Sequence, residues 1–262
     1  EAFFNKFGQP VTKDRANVLS ILRKDCPSDE FSSAIWGLSP ELFEKKLEFA
    51  VPPGCRVLDL GCGTGVWSVA AASTAREVVA IDLSHERISL FKKILLELQL
   101  DNVKTFDCSV FSLHEEDESF DAVVCYNVLQ LVENYDDILL EIFKLLKPGG
   151  ILYCSVADIG VVAYYAWQAF FQMSISTPYE ISKLISKSYL RKIFSREISS
   201  NNFNGVYLRD KYFVRAARLA GFDTIDLTGE VKHDIYPKRF GGMPFFNEYL
   251  FQKPKELLAS DM

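Results

Sequence analysis

The residues best suited to chemistry lie in one short stretch, Val57-Leu58-Asp59-Leu60-Gly61-Cys62-Gly63-Thr64-Gly65. Three glycines at alternate positions follow an acid at the end of an apolar run, and a helix-like stretch follows them. Glycine allows a backbone to approach a ligand closely. A strand that runs into glycines and then a helix forms a binding turn at the carboxyl edge of a parallel sheet. Roughly 20 residues further on, where a nucleoside-binding unit places its acid, Asp82 closes the next apolar run. A carboxylate there can accept both ribose hydroxyls of a bound nucleoside. A tight turn without a ligand is the bland alternative, and the acid with its glycine series weighs against it. A dinucleotide is the competing ligand, but its fingerprint puts the third glycine where Val66 stands. Asp82 suits either ligand.

The elements that must position these residues alternate. Residues 56–60 read as a strand, 66–75 as a helix, and 77–82 as a second strand. Residues 84–100 carry Ile88, Phe91, Leu95 and Leu98 on one helical face, with Ser84 as the N-cap. Strands are expected at 103–108 and 120–127, and a helix at 135–146, with acids in its first turn and Lys144 in its last. Pro148-Gly149-Gly150 stops that helix before a strand at 151–157. Strands alternating with helices imply βαβ units and a parallel sheet covered on both faces. The alternation lapses after residue 158, where Thr177-Pro178-Tyr179-Glu180 resembles a capping box and opens an amphipathic helix. It resumes with a helix at 210–222, a strand at 224–231 and a last strand within 244–253. The acidic run Glu115–Glu118 reads as a solvated loop.

Composition bounds the function. Of 262 residues, 29 are basic and 35 acidic, a formal charge of −6 that argues against a sequence-independent nucleic-acid binder. No apolar stretch is long enough to cross a bilayer, and the N-terminal residues lack a signal-peptide pattern. The six cysteines have no CxxC spacing, so no metal site is expected. Cys125 and Cys154 fall in strand-like runs as small hydrophobes. Free thiols suit a reducing cytoplasm.

The GxGxG series preceded by Asp59 resembles motif I of the class I S-adenosylmethionine (SAM)-dependent methyltransferases, and 143–152 (FKLLKPGGIL) is similar to that family's helix–PGG–strand signature. The resemblance covers about residues 50–158 motif by motif, and 207–253 by element order. It implies an α/β, Rossmann-like fold with a seven-stranded, mostly parallel sheet whose last strand is antiparallel. A helical lid would be inserted after strand five. The chain then divides into an N-terminal helical cap (1–50), a SAM-binding core (51–158), the lid (159–205) and the C-terminal part of the core (206–262). SAM would be the cofactor, held by Asp59, Gly61, Cys62, Gly63, Gly65, Asp82, Leu83, Asp107, Cys108, Asn127 and Val128. In the family, the acid at Asp107 takes the adenine amino group. Gln130 stands where a histidine is common.

The acceptor crevice lies outside the carboxyl ends of the strands. Trp36, Tyr164, Trp167, Tyr236 and Arg239 are the candidates to line it, and His233 alone among the three histidines has a topological argument for catalysis. Lid and cap packing is the structural alternative for the aromatic residues. The expected activity is methyl transfer by in-line displacement to an O, N or C atom of a small apolar or aromatic metabolite, by a monomer or homodimer without nucleic acid or membrane. Two alternatives are carried. One is a tRNA or protein substrate reached through Lys183, Lys187, Arg191, Lys192 and Arg196. The other is a SAM-binding scaffold or cyclase-like protein that transfers no methyl.

Overall fold

The computed structural model describes residues 13–26, 33, 35–38, 40–132, 134–157, 199–200, 203–206, 210–225 and 246–255. The first strand, β1 (Arg56–Leu60), is buried along its length, because a parallel sheet covered on both faces needs apolar side chains on each. β2 (Glu77–Ile81), β3 (Val103–Phe106), β4 (Phe120–Tyr126) and β5 (Leu146–Ala157) extend the sheet. β8 (Asp223–Ile225) and β9 (Phe246–Gln252) complete it in the order β3-β2-β1-β4-β5-β9-β8. The first five strands are parallel, and β9 runs antiparallel to both of its neighbours. The expected seven-stranded Rossmann-like sheet is therefore present.

Strand order reverses between β1 and β4, which opens a crevice at their carboxyl ends. α3 (Val66–Ala72) and α4 (His85–Leu98) return the chain on one face. α5 (Tyr135–Leu145) and α6 (Asp210–Leu219) cover the other. Two apolar cores result: one around Trp67, Phe91 and Tyr153, the other around Tyr135, Leu139 and Phe213. The cap contributes α1 (Lys13–Asp25), which packs on α4, and α2 (Pro40–Leu47), which packs on α3.

Several boundaries differ from the sequence reading. β3 ends at Phe106 rather than 108, which leaves Asp107 outside the sheet. α3 stops at Ala72 and α6 at Leu219. Pro148–Gly150 do not precede β5 but form a bulge within it, since Phe120 pairs with Leu146 and Ala122 with Ile151. Gly149 donates to the Lys253 carbonyl at 2.8 Å, which ties the bulge to the end of β9. The strand expected at 224–231 is seen only as 223–225; the rest lies outside the described residues. The expected helical segment 159–205 also falls largely outside them, but β6 (Ser199–Ser200) and β7 (Phe203–Val206) form an unforeseen antiparallel hairpin at its end. β7 runs beside the 3-10 turn at Leu129–Leu131. The acidic loop is less solvated than expected. Glu115 makes two bonds to Arg56, at 2.9 and 3.0 Å, and Glu118 meets Lys253 at 3.0 Å.

Candidate active site

A cavity of about 610 Å³ opens at the carboxyl ends of β1, β2 and β4. Its near wall is the glycine turn. Gly61, Gly63 and Gly65 all have positive φ, at 73°, 57° and 89°, a region from which L side chains are largely barred. A Cβ on Gly61 would stand 2.3 Å from Val128 Cγ2 and force Val128, which borders the cavity, inward. Gly65 has a different role. A Cβ there would lie 1.9 Å from the Phe91 ring, so this glycine lets α4 pack against the turn and does not border the cavity.

Asp82 closes β2 and borders the cavity. Its Oδ2 accepts from Gly63 N and its Oδ1 from Ser84 N, both at 2.9 Å. Each carboxylate oxygen has a second lone pair, so a diol can still be bound by a group whose orientation is already set. Leu83 and Cys108 follow on the same side, and Asn127 and Val128 face them from the end of β4. Asn127 stands at φ 62°, a conformation Asn tolerates better than most residues. Its N–H donates to Ser155 Oγ at 2.9 Å, and its side-chain oxygen accepts from Gln130 Nε2. Gln130, in the place of the family's common histidine, is buried, and its carbonyl oxygen has no hydrogen-bond partner among the described residues.

Besides Gly65, three of the expected ligand residues do not border the cavity. Asp59 is buried beneath the turn, where Ser68 Oγ donates to it at 2.5 Å. Burial, the largest cause, pushes its carboxyl up to about 7; the Ser68 bond opposes this and the Asp82 charge adds to it. Asp107 is turned to solvent because β3 ends before it, and its Oδ2 lies 2.7 Å from His85 Nδ1. That bond, first among its causes, holds the carboxyl below its ordinary value. Trp36, expected on the acceptor, belongs to the core. It is 1% exposed, and its indole N–H donates to Thr64 Oγ1 at 3.1 Å, so it braces the glycine turn from the cap. His233, Tyr164, Trp167, Tyr236 and Arg239 lie outside the described residues.

Part of the cavity wall is aromatic. Phe43 from α2, Trp67 from α3 and Tyr126 from β4 all border it. Trp67 lies edge-on to Phe43 with ring centroids 5.1 Å apart, and tilted over Tyr126 at 4.4 Å. Behind them the Tyr126 hydroxyl donates to Glu248 Oε1 at 2.7 Å. Lys46 Nζ donates to both Glu248 oxygens, at 2.7 and 2.9 Å. Sequence reading missed Phe43, Trp67, Lys46 and Glu248, since no spacing links residues on three separate elements. Among the described residues, no group of three or more His, Cys, Asp or Glu could hold a metal, and all six cysteines are free.

A glycine turn at the switch point, a strand-end acid and an aromatic wall thus meet in one cavity of a class I methyltransferase fold. Comparison with known proteins agrees. Residues 52–203, more than half of the chain, match the family model described as a methyltransferase domain. The demethylmenaquinone methyltransferase of Oceanobacillus iheyensis is 29% identical over 180 residues, which cover 68% of this chain and 73% of that protein. Its counterpart in Bacillus cereus is 30% identical over 159 residues, 60% of this chain and 66% of that protein, just under two thirds. Among solved structures, Burkholderia thailandensis 1,6-didemethyltoxoflavin-N1-methyltransferase, bound to 1,6-didemethyltoxoflavin and S-adenosylhomocysteine, aligns with a TM-score of 0.55 at 18% identity. It covers 94% of this chain and 92% of its own. The cyclase SpnF aligns with a TM-score of 0.56 at 18% identity, over 83% and 81%. At such identities these structures speak for the fold alone.

The chain belongs to the methyltransferase domain family and is a class I SAM-dependent methyltransferase. SAM is its cofactor.

Proposed function

We propose that the chain methylates a small, apolar, ring-bearing acceptor such as a quinone in its reduced quinol form or a phenol; the names of its relatives point to a quinone ring system, demethylmenaquinone. The observation that carries the reading is that Phe43, Trp67 and Tyr126 wall the same cavity as the glycine turn and Asp82. Flat aromatic walls bury a ring system well, whereas a macromolecular substrate calls for an open, charged approach.

In this reading Asp82 takes the ribose hydroxyls, and Gly61–Gly63 with Asn127 and Val128 hold the methionine portion. Leu83 and Cys108 flank the base, while Asp59 acts from below by keeping the turn in shape. Bound there, SAM supplies an activated methyl group on a sulfonium whose leaving group is neutral. The protein's task is to orient the acceptor in line and exclude water, and positioning of this kind accounts for much of such an acceleration. The cap (1–50), core (51–158, 206–262) and lid (159–205) are the divisions we assign to those tasks. The free thiols and the acidic surface support a cytoplasmic monomer or homodimer without a nucleic-acid partner. No helix among the described residues is long and apolar enough to cross a membrane.

The test is incubation with methyl-labelled SAM and a panel of reduced naphthoquinols, phenols and amines, followed by mass spectrometry of the labelled product. Methylated quinol or phenol is the expected result, and label on RNA or protein, or none at all, overturns the reading. Asp82→Ala should weaken S-adenosylhomocysteine binding at least about tenfold by calorimetry without changing the circular dichroism.

A further inference from the structure

Asn127 and Gln130 form a second polar unit at the cavity, at the end of β4. Asn127 stands in the left-handed region, at φ 62°, which a residue other than glycine holds only where its surroundings impose it. Here they do so from two sides. Its N–H is shared between Ser155 Oγ at 2.9 Å and the Ser155 carbonyl at 3.3 Å, and its side-chain oxygen accepts from Gln130 Nε2. Gln130 lies in the turn Leu129–Leu131, is 1% exposed, and has no hydrogen-bond partner for its own carbonyl oxygen among the described residues. A buried amide with one end unpaired serves the fold less well than an apolar side chain of the same shape. Packing therefore does not account for a glutamine at this place, whereas its bond to Asn127 does. Gln130 does not border the cavity; Asn127 does. The two ends of an amide are opposite in sense, one accepting and one donating. With the Asn127 oxygen fixed on Gln130, the amino group is the end left for a ligand in the cavity.

We propose that Gln130 is a positioning residue for cofactor binding, which fixes the Asn127 amide so that its N–H groups donate to the carboxylate of the methionine portion. This rests on the placement of that portion proposed above and deepens it. The amino-acid end of the cofactor carries two charged groups of opposite hydrogen-bonding sense, an ammonium that only donates and a carboxylate that only accepts. An amide free to turn serves either, and one held by its oxygen serves the carboxylate. Hydrogen bonds to an ionised acceptor are stronger than those between neutral groups. An amide already oriented also loses little freedom when it binds. The unpaired carbonyl of Gln130 is thus offset at the cofactor rather than within the fold.

The test uses the whole chain and calorimetry with S-adenosylhomocysteine, its decarboxylated analogue, which keeps the ammonium, and methylthioadenosine, which lacks the amino-acid end. The wild type should bind S-adenosylhomocysteine about tenfold more tightly than the decarboxylated analogue, the worth of one bond to a charged group. Asn127→Gly, which suits the positive φ, should lower that ratio at least about fivefold and leave the affinity for methylthioadenosine within about twofold. Gln130→Met, which keeps the shape without the bond, should lower the ratio at least about threefold while the urea midpoint holds or rises. A purely structural role for Gln130 would instead weaken all the probes together and lower the midpoint. That outcome overturns the proposal, as does a ratio of about one in the wild type. A wild-type ratio in either variant, which Arg87 would produce if it held the carboxylate from its own place on the cavity wall, overturns it too. Equal losses of methylthioadenosine and S-adenosylhomocysteine in Asn127→Gly would instead overturn the placement of the methionine portion, so the two failures are distinguishable.

Discussion

Asp59 is a residue whose type suggests a ligand contact and which lies buried beneath the glycine turn. At 2% exposure it sits under the glycine turn with Ser68 as its partner, and burial pushes its carboxyl up to about 7. The unfolded chain holds this group near the ordinary value of about 4, so the folded state binds the extra proton between those limits. The stability contribution is fully present below the unfolded pKa and is lost as pH rises through about 7. Asp59→Asn keeps the shape, and its carbonyl still accepts from Ser68. It should therefore stabilise the protein by a few kcal/mol at about pH 8 and give no gain at about pH 3.5, as measured by urea unfolding at both values. Loss of the difference between the two pH values would show that the carboxylate is stabilised by some other group.

The cap helices brace the turn from outside, and Trp36 is the connecting piece. Arg15 on α1 lies 5.5 Å from the Trp36 ring centroid and donates to the backbone carbonyls of Trp36 and Leu38. The indole N–H then reaches Thr64 in the glycine turn. Trp36→Phe leaves the buried Thr64 hydroxyl without that donor and should cost roughly 1–3 kcal/mol, with a several-fold loss in S-adenosylhomocysteine affinity. Adding Thr64→Val should recover much of the stability, which a double-mutant cycle by urea unfolding and calorimetry would reveal. These elements also mark what was legible in the sequence. β1 to β5 and the helices between them were readable because β1, β2 and β4 are each followed closely by a helix, and apolar periodicity changes at those boundaries. The positions of Gly61, Gly63 and Asp82 at the strand ends were readable because they depend on local spacing. Trp36 and Asp59 were not, since only tertiary packing decides whether an aromatic or acidic residue faces a ligand or the core. The PGG bulge in β5 was misread as a simple stop because its stabilising partner, Lys253, lies in a distant part of the chain.

On the scale of the whole molecule, the Lys46–Glu248 pair joins the cap to a strand 202 positions away and fixes where β9 enters the sheet. Removing one member of such a pair leaves a buried charge alone, whereas removing both does not. Glu248→Leu should therefore cost about 3–5 kcal/mol and the combination with Lys46→Met about 1 kcal/mol or less, compared by urea midpoints with constant slope. The pair also sets an order of events during synthesis. The glycine turn and β1 to β4 are all translated before Glu248, so a ribosome-bound chain can form the nucleoside half of the cavity first. Until β9 has been made and inserted between β5 and β8, neither the Lys46–Glu248 pair nor the Tyr126–Glu248 bond can form. The glycine turn and the contacts behind the aromatic wall are thus completed at different times during synthesis.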